Sequence, residues 1–129
     1  MFRRIPFVVL GASLGVGLVA AACSGDDGGG SAVPNPTIPG APTLEVVGNN
    51  LSFEPDELEV AAGDFNVTLE SVDQFHDFNI EDVDGIVEAS AGETETAGFT
   101  IDEPDEYTFF CSVPGHRAAG MEGTLTVTE

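Results

Sequence analysis

The chain has 129 residues, 23 of them acidic and only 3 basic, and its formal net charge at pH 7 is −20. This length allows one small domain with attached segments. So acidic a surface repels phosphate backbones and anionic headgroups, which argues against nucleic acid as a partner. It suits a basic protein partner, a salty environment in which charge keeps the protein soluble, or a solvated coat with no specific partner.

The first 22 residues have the pattern of an export signal. Two arginines near the start precede an apolar stretch over residues 7–22, which has the length of a signal-peptide core and is short for a membrane span. The sequence VAAAC at residues 19–23 resembles a bacterial lipobox. This resemblance implies cleavage before Cys23 and attachment of a lipid to its sulfur. Ordinary secretion and an uncleaved anchor are the alternatives, and the arginine pair leaves a twin-arginine export route open.

The segment after Cys23 has the composition of a flexible tether. Residues 24–42 have the sequence SGDDGGGSAVPNPTIPGAP, in which glycine, serine, proline and aspartate leave almost nothing apolar to bury. We therefore predict a lipidated cysteine and linker over residues 23–42 and a folded domain over residues 43–129. If Cys23 carries a lipid, Cys111 has no partner for an intramolecular disulfide.

The predicted domain shows the period-two alternation of half-buried β-strands. Apolar and polar residues alternate over residues 57–60, 64–69 and 124–128. Turn sequences rich in glycine, asparagine and aspartate separate these runs, and no stretch has a helical apolar stripe. About seven or eight short strands in a domain of this length predict an all-β fold, an antiparallel Greek-key sandwich.

Two predicted strands carry a histidine and a cysteine on their inward faces. His76 alternates in phase with Phe78 and Ile80, and Cys111 alternates in phase with Phe109. Because large apolar side chains mark the buried face of a strand, His76 and Cys111 should both point into the sandwich. The sequence therefore predicts that these two distant residues are neighbours in space.

The segment FFCSVPGHRAAGM contains one of the two cysteines, one of the two histidines and one of the two methionines. Cys111, His116 and Met121 are spaced five residues apart on a loop that contains proline and glycine. Together with His76 they supply a thiolate, two imidazoles and a thioether, which is the ligand set of a blue copper electron-transfer site. Such mixed donors suit neither Cu(I) nor Cu(II) fully, so little rearrangement should accompany electron transfer.

A family resemblance covers residues 43–129. The segments EYTFFCSVPGHRAAGMEGTLTV, SFEPDELEVAAGD and FHDFNI resemble those of cupredoxins, the type 1 blue copper proteins, in their plastocyanin-like and rusticyanin-like forms. The resemblance implies one copper ion, with His76, Cys111 and His116 as equatorial ligands and Met121 as the axial ligand.

Two charged residues beside the predicted ligands have expected roles of their own. Asp77 stands where plastocyanins and azurins usually have asparagine. We expect it to accept hydrogen bonds from the region of Ser112 and to favour Cu(II). Arg117 is the only basic residue after the leader. It is expected either to orient an acidic partner or to take part in a local ion pair.

The predicted function is one-electron transfer between redox proteins, such as a cytochrome or a terminal oxidase. The carrier would be a monomer tethered through Cys23 to the outer face of the cytoplasmic membrane. We do not expect an enzyme, because a thioether is a poor ligand for a catalytic zinc and no glutamate is placed as a base. A copper storage, delivery or sensing module would use the same ligands, and a structural surface domain would use none. Both remain alternatives.

Overall fold

The computed structural model describes residues 35–129, which form nine β-strands and contain no helix. The strands are β1 Thr43–Asn49, β2 Ser52–Glu54, β3 Glu57–Ala61, β4 Gly63–Ser71, β5 His76–Ile80, β6 Val83–Ala89, β7 Thr94–Ile101, β8 Asp105–Phe110 and β9 Glu122–Thr128. Within this part of the chain, nothing helical is long and apolar enough to cross a membrane. The predicted signal over residues 1–22, the predicted lipidation site Cys23 and the start of the predicted linker lie outside the described residues.

The nine strands form two sheets, which confirms the predicted all-β sandwich. One sheet has the order β2-β1-β4-β7, and the other has the order β3-β9-β8-β5-β6. Two neighbouring pairs are parallel, β1 with β4 and β3 with β9, so the prediction of a wholly antiparallel sandwich was wrong. Alternation within one strand says nothing about the direction of a distant partner. The structure has nine strands where about seven or eight were predicted, and β2, with three residues, is too short to display a period.

The core lies between the two sheets and is rich in phenylalanine. Phe78 is in the middle of it: its ring stacks on Phe109 at 4.9 Å and meets the edges of Phe53 at 5.8 Å and Phe99 at 6.0 Å. All four side chains are buried. Burying one such ring stabilises a fold by about 1.5–3 kcal/mol. The predicted inward residues of β3, β4 and β9 are also buried, which confirms the alternation.

Residues 35–42, which belong to the predicted tether, lie against β4 and β7. The Asn35 side chain donates to the carbonyl of Gly98 at 3.1 Å. The amide of Asn66 pairs with the backbone of Ile38 in both directions, at 2.7 and 2.9 Å. Asn66 is buried, and these two bonds satisfy it. A Cβ at position 98 would come within 2.6 Å of the Pro36 carbonyl oxygen, so glycine permits this close contact.

The termini of three strands lie close together at one end of the larger sheet. Strand β8 is antiparallel to both of its neighbours, β5 and β9. The last residue of β8, Phe110, lies opposite Glu122 at the beginning of β9 and opposite Asn79 in β5, and from there the chain runs towards the beginning of β5. His76 is the first residue of β5, Cys111 follows the last residue of β8, and Met121 precedes the first residue of β9. The topology thus brings these side chains together.

Candidate metal centre

The loop from Cys111 to Met121 is closed by its own backbone hydrogen bonds. The Cys111 N–H donates to the Met121 carbonyl at 3.1 Å, which ties the two ends of the loop together. Inside the loop, the His116 N–H donates to the Val113 carbonyl and the Met121 N–H donates to the His116 carbonyl, both at 3.0 Å. These bonds fold the loop back on itself and hold the imidazole of His116 beside the sulfur of Cys111.

The predicted equatorial donors converge in the structure. One ligand atom each from His76, Cys111 and His116 lie within 4.8 Å of one another. The Sγ of Cys111 is 3.5 Å from Nδ1 of His116, and the two imidazole rings are 5.3 Å apart at an angle of 61°. Metal–ligand bonds of about 2.0–2.3 Å place two ligands of one ion at most roughly 4.6 Å apart, and the donor atoms of this cluster need to move by only a few tenths of an ångström to meet that limit. The cluster therefore has the dimensions of a mononuclear site.

The site is closed to solvent on all but one side. His76, Cys111 and Met121 have no exposed surface, and His116 is 9% exposed. Met121, the predicted axial ligand, is thus buried at the end of the same loop. Burial of the soft donors excludes water, which would otherwise compete for the metal and broaden the range of geometries.

His76 provides the test of whether these residues fit a metal. Its Nε2 lies 2.8 Å from Oδ1 of Asp73, whereas its Nδ1 is buried and has no hydrogen-bond partner among the described residues. Leaving a buried polar atom unpaired costs about 1–3 kcal/mol. A metal ion bound at Nδ1 would remove this cost, so the environment of this nitrogen fits a metal ligand.

Comparison with known families decides the identity of the domain. Residues 41–128 match the family model of copper binding proteins, the plastocyanin/azurin family. The chain belongs to this family. The domain is therefore a cupredoxin, and its cofactor is a single type 1 copper ion, in agreement with the His-Cys-His cluster and the buried methionine.

Solved structures of two other cupredoxins have the same fold. Dithionite-reduced auracyanin from Roseiflexus castenholzii has a TM-score of 0.60 and 26% identity, and the match covers 69% of this chain and 98% of that one. Auracyanin A from Chloroflexus aurantiacus, a blue copper protein, has a TM-score of 0.59 and 25% identity. The match covers 69% of this chain and 100% of the auracyanin A chain. Each solved chain is therefore matched over almost its whole length.

Curated relatives match over a short segment. Auracyanin-B from Chloroflexus aurantiacus is 49% identical over 39 residues, which are 30% of this chain and 17% of the relative. Plastocyanin from Nostoc punctiforme is 54% identical over 39 residues, again 30% of this chain and 27% of the relative. The chain thus matches less than a third of the length of either curated relative.

The cupredoxin thiol is shielded from water. Burial raises the pKa of the Cys111 thiol, and hydrogen bonds from the backbone of Asp77 and Val113 oppose this rise. Cys111 forms no disulfide among the described residues. A metal binds the thiolate, so an ion entering the site displaces the thiol proton. The same backbone hydrogen bonds then stabilise the thiolate charge.

Asp77 connects β5, which begins with His76, to the segment after β8 that contains Cys111. The sequence places it on the outward face of β5, yet it is only 4% exposed. Its carboxylate accepts the Ser112 backbone N–H at 2.6 Å, the Ser112 hydroxyl at 2.5 Å and the Asn79 amide at 2.7 Å. The expected bonds to the region of Ser112 are confirmed. We call Asp77, Asn79 and Ser112 the carboxylate clasp.

Arg117 is bound locally and covers an aromatic ring. Its guanidinium lies 3.0 Å from the Glu122 carboxylate, 3.4 Å from that of Glu81 and 4.2 Å from the ring centre of Phe110. The hydrogen bond to Glu122 is the main reason that the pKa of Arg117 is raised. Of its two expected roles, the structure contains the local ion pair. These contacts fasten the loop of His116 to β9 and to the end of β5.

Two residues beside His76 were missed by the sequence analysis. Asp73 lies three positions before His76 on an exposed loop, where nothing distinguishes it from the other acids. Gly48 lies inside β1, and a Cβ there would be 3.1 Å from Cδ2 of His76. The only sequence signal was a glycine within a run of strand residues, which indicates a close approach of another group.

Proposed function

We propose that the domain is a one-electron carrier in which His76, Cys111, His116 and Met121 hold a single copper ion. The observation that carries this proposal is the cluster of three buried residues whose ligand atoms lie within 4.8 Å of one another, together with the buried Nδ1 of His76, which has no hydrogen-bond partner in residues 35–129. Bound copper supplies the redox chemistry by alternating between Cu(II) and Cu(I). The protein contributes ligands that are held in place and an environment from which water is excluded.

The loop, the clasp and the core support electron transfer because they hold the donors still. Three of the four donor side chains are fully buried. Backbone bonds close the loop, and the carboxylate clasp joins β5 to the residue after Cys111. Side chains that cannot move keep the same geometry in both oxidation states, which keeps the barrier to electron transfer low. Electrons would enter and leave through the edge of His116, the one donor with exposed surface.

We propose that the protein is not an enzyme. In a catalytic metal site, one coordination position stays open for water or substrate. Here four protein donors would fill the positions around the ion, and the open edge belongs to an imidazole. A site filled in this way transfers electrons and leaves no position for a substrate.

We further propose that the carrier is exported and anchored by a lipid on Cys23 to the outer face of the cytoplasmic membrane. The N-terminal residues of the sequence support this location, because they have the pattern of an export signal that ends at a cysteine. The partners would be redox proteins, with no role for nucleic acid, and the carrier would act as a monomer.

The test is titration of the purified protein with Cu(II), followed by visible absorption and EPR. One equivalent should produce an intense sulfur-to-copper charge-transfer band and the narrow hyperfine splitting of a type 1 site. Cys111→Ser should abolish the band, whereas the matched Cys23→Ser variant should keep it and lose attachment to membranes. A colourless wild-type protein with a reduced thiol would refute the proposal.

A chelator separates the electron carrier from a copper delivery module. A carrier should retain its copper in the presence of a chelator and cycle reversibly between its oxidation states. A delivery module should surrender the ion within minutes to the same chelator. Rapid loss would therefore favour the alternative function over the one proposed here.

A further inference from the structure

We propose that Asp73 is a positioning residue for the copper ligand His76, and that it acts together with Gly48. Asp73 would fix the imidazole tautomer that leaves Nδ1 free for the metal, and Gly48 would fix the plane of the ring. This inference rests on the proposed function, since it concerns a ligand of the same copper site. It assigns a role to one carboxylate among the many on this acidic surface.

The contact between Asp73 and His76 determines which nitrogen carries the proton. Nε2 of His76 lies 2.8 Å from Oδ1 of Asp73, within hydrogen-bond distance. A neutral imidazole has one N–H group, and an ionised carboxylate only accepts hydrogen bonds. The proton therefore resides on Nε2, and the lone pair on Nδ1 is available. This nitrogen is the buried atom that lacks a partner.

Asp73 is itself held in place from two sides. Its second oxygen, Oδ2, accepts the backbone N–H of Asn50 at 3.1 Å. Asn50 lies in the turn between β1 and β2 and has a positive φ of 51°. Within the β4–β5 loop, the buried Ser71 hydroxyl donates to the Gln74 carbonyl. The carboxylate thus joins the β1–β2 turn to the ligand strand and has little freedom to turn away from His76.

Gly48 limits the position of the imidazole from the opposite direction. A Cβ on residue 48 would lie 3.1 Å from Cδ2 and 3.2 Å from Cγ of His76. These distances are shorter than ordinary carbon–carbon contacts of about 3.5–4.0 Å. The residue has no unusual backbone angle, so the ring of His76 is the reason for the glycine. Any larger residue would force the imidazole of His76 to shift away from β1.

A carboxylate on a ligating histidine also changes the strength of the ligand. Hydrogen bonding to a carboxylate orients the ring and raises its basicity, and loss of such a partner typically lowers metal affinity about 10–100-fold. The added negative charge favours the more positive oxidation state, Cu(II). Asp73 should therefore lower the reduction potential of the site as well as strengthen binding.

Two substitutions in the full chain separate the hydrogen bond from the charge. Asp73→Ala removes both, and we expect Cu(II) affinity to fall about 10–100-fold in a chelator competition. Asp73→Asn keeps a neutral acceptor, so affinity should change less while the reduction potential rises. Asp102→Ala and Asp102→Asn are the matched controls, since Asp102 is exposed and accepts no hydrogen bond among the described residues. Both controls should resemble the wild type.

The tautomer of His76 is measured without metal, by nitrogen chemical shifts of the imidazole in the metal-free protein. Wild type and Asp73→Asn should carry the proton on Nε2, and Asp73→Ala should show a mixture or the Nδ1–H form. The inference would be overturned if Asp73→Ala kept the proton on Nε2 and bound Cu(II) with an affinity within twofold of that of Asp102→Ala. If no variant binds copper, the proposed function fails, and the tautomer still decides the role of Asp73.

Gly48→Ala provides an independent check on the ring plane. We expect the EPR hyperfine pattern of the copper protein to change, because the added methyl group moves the His76 ring. Unchanged EPR parameters would remove Gly48 from the inference.

Discussion

The hydrogen bonds of the carboxylate clasp allow the loss of stability in Asp77→Ala to be predicted. Asp77 accepts three of them, two from Ser112 and one from Asn79. In Asp77→Ala all three donors lose their acceptor. Ser112 is exposed, so water replaces the partner of its hydroxyl. The loss that remains comes from the Ser112 backbone N–H and the Asn79 amide.

Hydrogen bonds to charged groups contribute about 1.5–3 kcal/mol each. At the lower bound, two lost bonds destabilise the metal-free protein by about 3 kcal/mol. In a domain of this size 1 kcal/mol shifts Tm by roughly 4–8 °C, so we expect Tm to fall by roughly 12–24 °C. Asp77→Asn keeps an oxygen that accepts the Ser112 N–H, so its free energy of unfolding should be lower than that of the wild type by only about 1 kcal/mol.

The assay is urea unfolding of the metal-free protein under reducing conditions, with wild type, both Asp77 variants and Asp102→Ala. Asp102→Ala also removes one negative charge from the acidic surface. Comparison with it therefore corrects for the reduced repulsion between surface charges. A free energy of unfolding for Asp77→Ala within about 0.5 kcal/mol of the Asp102→Ala value would show that the clasp does not hold the two strands together.

Three further predictions concern the axial ligand, the loop cation and the core. Met121→Leu should keep a coloured site and raise its reduction potential, because leucine fills the same buried space without a sulfur donor; a lower potential would contradict the axial assignment. Arg117→Gln should lower Tm slightly at low salt and by less at high salt, since its ion pairs are exposed and salt screens them; a loss of Tm that does not depend on salt in thermal unfolding would refute this. Gly123→Ala should destabilise by about 3 kcal/mol, because its Cβ would lie 2.3 Å from the Asp56 carbonyl oxygen and from the Phe109 ring. An unchanged urea midpoint would contradict it.

The fold and the ligand cluster could be predicted largely from local patterns. Alternation of apolar residues reports burial directly, so the inward residues of β4 and β9 were identified. The convergence of His76 and Cys111 followed from the same alternation, because both residues stand in phase with large apolar neighbours. The spacing of Cys111, His116 and Met121 defined the loop. Each of these features is encoded within at most eleven consecutive residues, which is the range that local patterns describe.

Features that depend on distant partners could not be predicted. The parallel pairing of β1 with β4 depends on how the chain crosses between sheets. Asp77 alternates with His76 and therefore lies on the outward face of β5, and alternation alone does not show that Ser112, in the loop after β8, helps to bury it. Asn35 and Ile38 have the composition of a tether, but Gly98 and Asn66 supply a place for them to bind. In each case the deciding contact is made by residues far away in the sequence.

The burial of the donors has a consequence for how the protein is loaded. A single imidazole edge, that of His116, separates the donor cluster from water. An electron crosses such an edge without any atom changing place, whereas an ion has to displace the imidazole. Because backbone bonds at Val113 and Met121 hold the loop closed, the imidazole of His116 can give way only by rotating about its side-chain bonds. The exposed edge of His116 therefore lets electrons pass but obstructs a metal ion, so copper should enter the folded protein slowly.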